Sequence, residues 1–190
     1  MNGNTMKSGT TFETCPLAGV ILFRPVVHGD ARGYFKELSR RDAYAEAGAD
    51  TDFVQVNASC SRPGVLRGMH YQLRHPQAKL VVVAAGAVYD VVVDCRRASP
   101  TFGRWAGFTL TAEGGEELYV PEGFAHGFQV VSRENAVIVY QCNDYYHPGD
   151  EGGVNWASPS LGIDWPDRNP VLSDKDRALP DFSPDLPFPS

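Results

Sequence analysis

Gly64-Val-Leu-Arg67-Gly-Met-His70-Tyr-Gln72 and Gly115-Glu-Glu-Leu-Tyr-Val-Pro121-Glu-Gly123-Phe-Ala-His126 carry the most informative spacings in this chain. In the first, five residues separate Gly64 from His70 and Gln72 follows, and downstream six residues separate Lys79 from Gly86. In the second, five residues separate Gly115 from Pro121, and Gly123 and His126 complete the run. Around both, extended segments alternate with turn residues. Alternation is cleanest at Tyr89-Asp90-Val91-Val92-Val93-Asp94, which places Asp90 and Asp94 on one face, lining an interior or an interface. Further strands are predicted over Trp105–Leu110, Glu117–Val120, Gly127–Val131 and Ala136–Cys142. Short strands at regular spacing argue for a sandwich or jelly roll.

The two runs resemble the two halves of the cupin motif. The second half is matched at every position. The first half has Gln72 where cupins place a second histidine and Lys79 near the position of the acidic ligand. A metal centre needs imidazoles and carboxylates converging from neighbouring strands, and an ammonium repels a divalent cation. The resemblance therefore implies an all-β, cupin-type double-stranded β-helix (jelly roll) barrel without its metal and without another cofactor. A fixed positive charge at that depth can stabilise a developing oxyanion as a Lewis-acidic ion would, which makes Lys79 a candidate for that role.

Upstream, Leu17–Phe23 reads as a first strand and Pro25–His28 as its extension. Gly29-Asp30-Ala31-Arg32-Gly33 then forces a turn, and Tyr34–Leu38 continues extended. Asp42–Gly48, alanine-rich and stopped by glycine, is the one convincing helix. Residues 1–14 lack periodicity and are expected to form a flexible leader, with 15–190 a single domain that includes the tail. That tail carries Pro166, Pro170, Pro180, Pro184, Pro187 and Pro189, a density incompatible with a central strand or a long helix. It is expected on the surface, across the barrel mouth.

A chain of 190 residues with 43% hydrophobic content can bury one sizeable core. The net charge of −6 gives no footprint for nucleic acid, so an anionic ligand would need a local basic site. Cys15, Cys60, Cys95 and Cys142 form no Cys-x-x-Cys pair and read as reduced thiols of a cytoplasmic protein. No apolar run approaches the ~18 residues of a membrane span.

Further runs carry a narrower resemblance. Asn57-Ala-Ser59, Gln77-Ala-Lys79-Leu, Asp94-Cys-Arg96, Ser99-Pro-Thr-Phe-Gly103, Asp144-Tyr-Tyr146-His-Pro148, Trp156, Gly162-Ile-Asp-Trp165-Pro and Leu172-Ser-Asp-Lys175-Asp176 stand in order around the two central runs. Together they resemble the dTDP-4-dehydrorhamnose 3,5-epimerase family and its relatives in deoxysugar pathways of secondary metabolism. The likeness extends from Leu17 to Pro180. It implies a metal-free homodimer with a shared active site, acting on a dTDP-4-keto-6-deoxyhexose through an enolate. By the same resemblance His70 is the catalytic base with Asp176 as its carboxylate partner, Tyr140 the general acid, and Lys79 the stabiliser of the C4 oxygen. Arg32 and Arg67 would hold the pyrophosphate, Arg32 reaching it from the partner subunit. His126 would lie near the sugar, Gln55, Asn57, Glu37, Tyr146 and Glu151 would contact sugar, phosphate or thymidine, and Phe35 with Tyr34 would offer a stacking ring.

Two positions depart from many relatives. The His70–Lys79 segment is one residue shorter, within Leu73–Gln77, and Gln141 stands where a lysine commonly follows the tyrosine. Both adjoin the site and bear on which carbon is inverted. Two readings of other classes compete: a metal-dependent cupin oxygenase or isomerase, disfavoured by Gln72 and Lys79, and a silent nucleotide-sugar binder, disfavoured by the full set of acid, base and cation.

Overall fold

The alternating valines resolve into antiparallel sheets packed face to face. A computed structural model describes residues 4–49 and 52–189. In chain order the strands are β1 (Asn4–Thr5), β2 (Thr11–Thr14), β3 (Ile21–Arg24), β4 (His28–Asp30), β5 (Gly33–Phe35), β6 (Gln55–Ser61) and β7 (Leu66–Gln72). They continue with β8 (Lys79–Ala85), β9 (Ala87–Asp94), β10 (Trp105–Thr111), β11 (Glu117–Val120), β12 (Phe124–Val130), β13 (Ala136–Cys142) and β14 (Glu151–Gly153). Helix α1 spans Arg41–Glu46 and α2 spans Asp174–Arg177.

One sheet has seven strands in the order β1-β2-β3-β11-β8-β13-β6, the other five in the order β10-β9-β12-β7-β14, and β4 and β5 form a separate hairpin. This is the cupin-like jelly roll that the strand pattern and the motif implied. Between the sheets, Val81 and Val83 of β8, Val88 and Val92 of β9, Leu118, Phe128 and Ile138 form the central core. Burying one such side chain contributes roughly 1.5–3 kcal/mol. The motif glycines Gly64, Gly86, Gly115 and Gly123 all fall in turns between strands. At Gly86, φ is +72° and a Cβ would meet the Asn135 carbonyl at 2.9 Å, so both the turn and the packing require glycine there.

Each sheet also buries part of its outer face, which alternation alone does not reveal. Leu80, Tyr119, Ile21 and Phe23 pack under Ala43 and Tyr44 of α1. Leu66, Met69, Tyr71, Val91, Val93 and Ala125 are covered by Val154, Leu161, Trp165 and Phe188. The proline-rich tail is thus not confined to the surface. Its bridge to a sheet, Val171 beside Val65 at the start of β7, involves no proline, while its aromatic and aliphatic side chains contribute to a second core.

The amino-terminal expectation is corrected as well. Within 4–14, β1 pairs with β2 and β2 with β3, and Met6 is buried against Phe23 and Leu80, so this segment is an edge of the larger sheet and not a loose leader. The strand expected over Leu17–Phe23 begins at Ile21, because Cys15–Val20 closes a turn in which the Val20 N–H donates to the Leu17 carbonyl at 3.1 Å. The strand expected over Tyr34–Leu38 stops at Phe35, and the helix expected over Asp42–Gly48 runs Arg41–Glu46. No described helix is long and apolar enough to cross a membrane, and all four cysteines are unpaired.

Candidate active site

His70 and Arg67 lie three positions apart on β7, and regular alternation would send them to opposite faces. Both nonetheless line one cavity of about 320 Å³. The reason is a bulge: β12 pairs His126 with His70 but Phe128 with Arg67, so an extra residue is accommodated on β7 between them. Gly68 sits in that bulge with φ +126°, and a Cβ there would stand 2.6 Å from Gly127 Cα, so only glycine permits this close approach of β7 to β12.

The cleft has two lobes. The inner one is lined by Ser59, Arg67, His70, Lys79, His126, Tyr140 and Asp176 among others. The outer lobe, about 260 Å³, is lined by Gln55, Asn57, Gln72, Gln77, Tyr146 and Glu151. His70, Lys79 and Tyr140 border both and mark where the lobes meet. His70 and His126 come from the five-stranded sheet, Lys79 and Tyr140 from the seven-stranded sheet, so imidazole and phenol approach the cleft from opposite walls.

The base is built by the tail. Ser173 caps α2, its Oγ accepting the Asp176 N–H at 3.1 Å, and this turn delivers the buried Asp176 carboxylate to His70 Nε2 at 2.6 Å. Burial raises the Asp176 carboxyl, but the bond to His70, with Ser173 and Lys175 behind it, outweighs this and holds it below the usual carboxylate range. With Nε2 committed to Asp176, Nδ1 is the ring atom left to take a proton. His126 Nε2 is held likewise by the fully buried Asp90 at 2.9 Å.

Burial lowers the Lys79 ammonium below the ordinary lysine value, opposed by nearby Cys142 and Asp90. Lys79 lines both lobes despite the short loop before it. Burial also raises the Tyr140 phenol, as does Cys142, while Arg67 opposes, so the hydroxyl is a neutral proton donor at pH 7. Of the two carboxylates expected to share a face, Asp90 is buried behind the cleft and reaches it through His126. Asp94 instead ties down the following turn: burial raises its pKa, but bonds from Arg96, Ser99 and Thr101 outweigh this and bring it to about 2.

Around the outer lobe, Gln55 Nε2 donates to Asn57 Oδ1 at 3.0 Å while Gln55 Oε1 accepts the Tyr146 N–H at 2.9 Å. Lys175 donates to Glu151 at 2.5 Å, joining α2 to β14 across the rim. Arg67 Nε donates to Ser61 Oγ at 2.9 Å. Arg32, Phe35 and Glu37 line neither lobe of their own chain. Arg32 pairs with Asp30 at the tip of the β4–β5 hairpin, Glu37 pairs with Arg40, and Phe35 is 68% exposed. Sequence reasoning gave no role to Ser59, whose Oγ is buried in the wall without a hydrogen-bond partner among the described residues, nor to Lys175. Period-two alternation on β6 was the available signal for Ser59, since it shares a face with Asn57.

A family profile described as dTDP-4-dehydrorhamnose 3,5-epimerase matches residues 14–184. The chain belongs to this family. It is 50% identical over 159 residues to the dTDP-4-dehydrorhamnose 3,5-epimerase of Shigella flexneri, covering 83% of this chain and 87% of that one. Among solved structures, the dTDP-6-deoxy-D-glucose-3,5-epimerase of Legionella pneumophila, in complex with dTDP-4-keto-L-rhamnose, superposes with a TM-score of 0.84 at 41% identity, covering 92% and 99% of the two chains. ChmJ, a 3'-monoepimerase from Streptomyces bikiniensis in complex with dTDP-quinovose, gives 0.81 at 40% identity over 88% and 85%. The epimerase fold thus includes proteins described as acting at two carbons and at one.

Proposed function

We propose that this protein is a cofactor-independent epimerase of a dTDP-4-keto-6-deoxyhexose, inverting C3, C5 or both in deoxysugar biosynthesis. The observation that carries this reading is the His70–Asp176 pair on one wall of the cleft, with Tyr140 and Lys79 on the other. A proton on the carbon beside the C4 ketone passes to His70 Nδ1, and its electron pair moves through the new C=C bond onto the C4 oxygen. Lys79 donates to that oxygen. Tyr140 then delivers a proton to the carbon from the other side, inverting it, and both groups re-equilibrate with solvent. Incubating the protein with dTDP-4-keto-6-deoxyglucose in deuterated water and following C3 and C5 by NMR tests this. Deuterium should enter one or both positions together with inversion, and no incorporation at either would overturn the assignment.

The donor set bears on metal. Gln72 donates to the His75 carbonyl, Lys79 faces the histidine-bearing wall from the opposite sheet, and His70 and His126 are each engaged by a carboxylate. Turnover is accordingly expected to survive exhaustive EDTA treatment. Loss of activity that a divalent ion restores would count against a metal-free mechanism.

The β4–β5 hairpin supports a homodimeric enzyme with a shared site. It is joined to neither main sheet and carries exposed Tyr34, Phe35 and Arg32, a stacking and phosphate-binding set directed away from its own cleft. Arg32→Ala should weaken nucleotide-sugar binding about 10- to 100-fold, the effect of losing a charge-assisted hydrogen bond. A fully active monomer in sedimentation at assay concentration would refute the shared site.

A further inference from the structure

His75, Asp144 and His147 lie outside the cleft, and the proposed chemistry uses none of them. Their donor atoms all fall within 4.8 Å of one another. The two imidazoles stack with centroids 3.9 Å apart and planes 18° from parallel. His75 Nδ1 stands 3.7 Å from Asp144 Oδ2, beyond hydrogen-bonding range. It is close to the roughly 3.4 Å that separates two donors on one tetrahedral ion with bonds of about 2.1 Å.

The cluster is held in place from behind. Buried Gln72 donates from Nε2 to the His75 carbonyl at 3.1 Å and accepts the His147 N–H on Oε1 at 3.2 Å. Buried Asp150 accepts the His75 N–H at 2.9 Å and donates its own N–H to the His147 carbonyl at 3.2 Å. Two buried residues therefore clamp both histidine backbones. Asp144 Oδ1 accepts the Tyr145 N–H at 2.7 Å, which orients Oδ2 toward the imidazoles, and the Asp144 carbonyl accepts from Gln77 at 2.7 Å. Such fixing of ligand orientation by surrounding bonds is what metal sites require.

We propose that His75, Asp144 and His147 bind one zinc-class divalent cation, clipping the β7–β8 loop to the β13–β14 loop at the rim of the outer lobe. Two imidazoles and one carboxylate suit zinc, cobalt or nickel and are too few and too nitrogen-rich for calcium or magnesium. A fourth position is left for water. None of the three lines either lobe, so the ion is structural and turnover does not depend on it.

The test uses the full chain, stripped with EDTA and dialysed, titrated with zinc chloride by calorimetry and with cobalt(II) by visible absorption. One equivalent should bind, cobalt should give the d–d bands of a four- or five-coordinate site, and Tm should rise with zinc concentration. His147→Ala and Asp144→Asn should each weaken binding more than about 100-fold, beyond the effect of losing an outer-sphere partner, while keeping epimerase activity. Asp144→Asn retains the Oδ1 acceptor for Tyr145, so it tests the ligand without removing the turn. Absence of saturable binding, or full stoichiometry in both variants, would overturn the proposal.

Discussion

His70→Ala is expected to lower both proton exchange and epimer formation by on the order of 10⁴-fold, the upper range for loss of a positioned base. His126 is committed to Asp90, and Lys79, though its pKa is lowered by burial, lies on the opposite sheet with Tyr140. Nucleotide-sugar affinity should be largely retained, because the remainder of the lining stays in place. Asp176→Asn should cost less, on the order of 10²-fold, since the imidazole remains but its tautomer and orientation are no longer fixed by the 2.6 Å bond. The measurements are single-turnover deuterium wash-in and equilibrium binding on the same preparations. Near-normal wash-in by His70→Ala would show that another group takes the proton.

With Tyr140→Phe, abstraction should separate from inversion. His70 still removes the proton and Lys79 still holds the enolate oxygen. The donor on the other wall is gone, a loss of about 10²–10⁴-fold in epimer formation. The enolate then returns mainly by reprotonation from His70. Substrate should exchange hydrogen with solvent well faster than it epimerises, and most exchanged molecules should keep their configuration. Because Tyr140 packs against the central core, the phenylalanine ring preserves that contact and the fold should persist. Two results would each sink the assignment: epimerisation at the unmutated rate, or equal loss of exchange and inversion with binding intact.

These effects depend on a site that the chain assembles from distant pieces. His70 and Asp176 are 106 residues apart in sequence, and a helix of four residues within a proline-rich tail brings them into contact. Nothing periodic in Leu172-Ser-Asp-Lys175-Asp176 indicates a buried carboxylate, and only likeness to a family pointed there. The tail's inward role was illegible for the same reason. Trp165 and Phe188 bury against β7, β9 and β12 by covering a face that strand alternation treats as outer.

The amino-acid sequence by itself determined the strand-rich jelly roll, because period-two valines and turn glycines are local signals that each strand carries alone. It also determined the broken metal motif, since Gln72 and Lys79 are read directly from their positions. Only the tertiary structure decided that Arg67 and His70 face the same cavity, since that rests on a bulge against Gly127 of another strand. It likewise decided that residues 4–14 extend a sheet, through pairing with β3 that no local pattern specifies. It decided too that Arg32 and Phe35 on the β4–β5 hairpin, and Glu37 just beyond it, lie outside their own cleft, the hairpin's two strands pairing only with each other. Long-range pairing and side-chain burial couple residues far apart in the chain, and those couplings form only when the sheets pack.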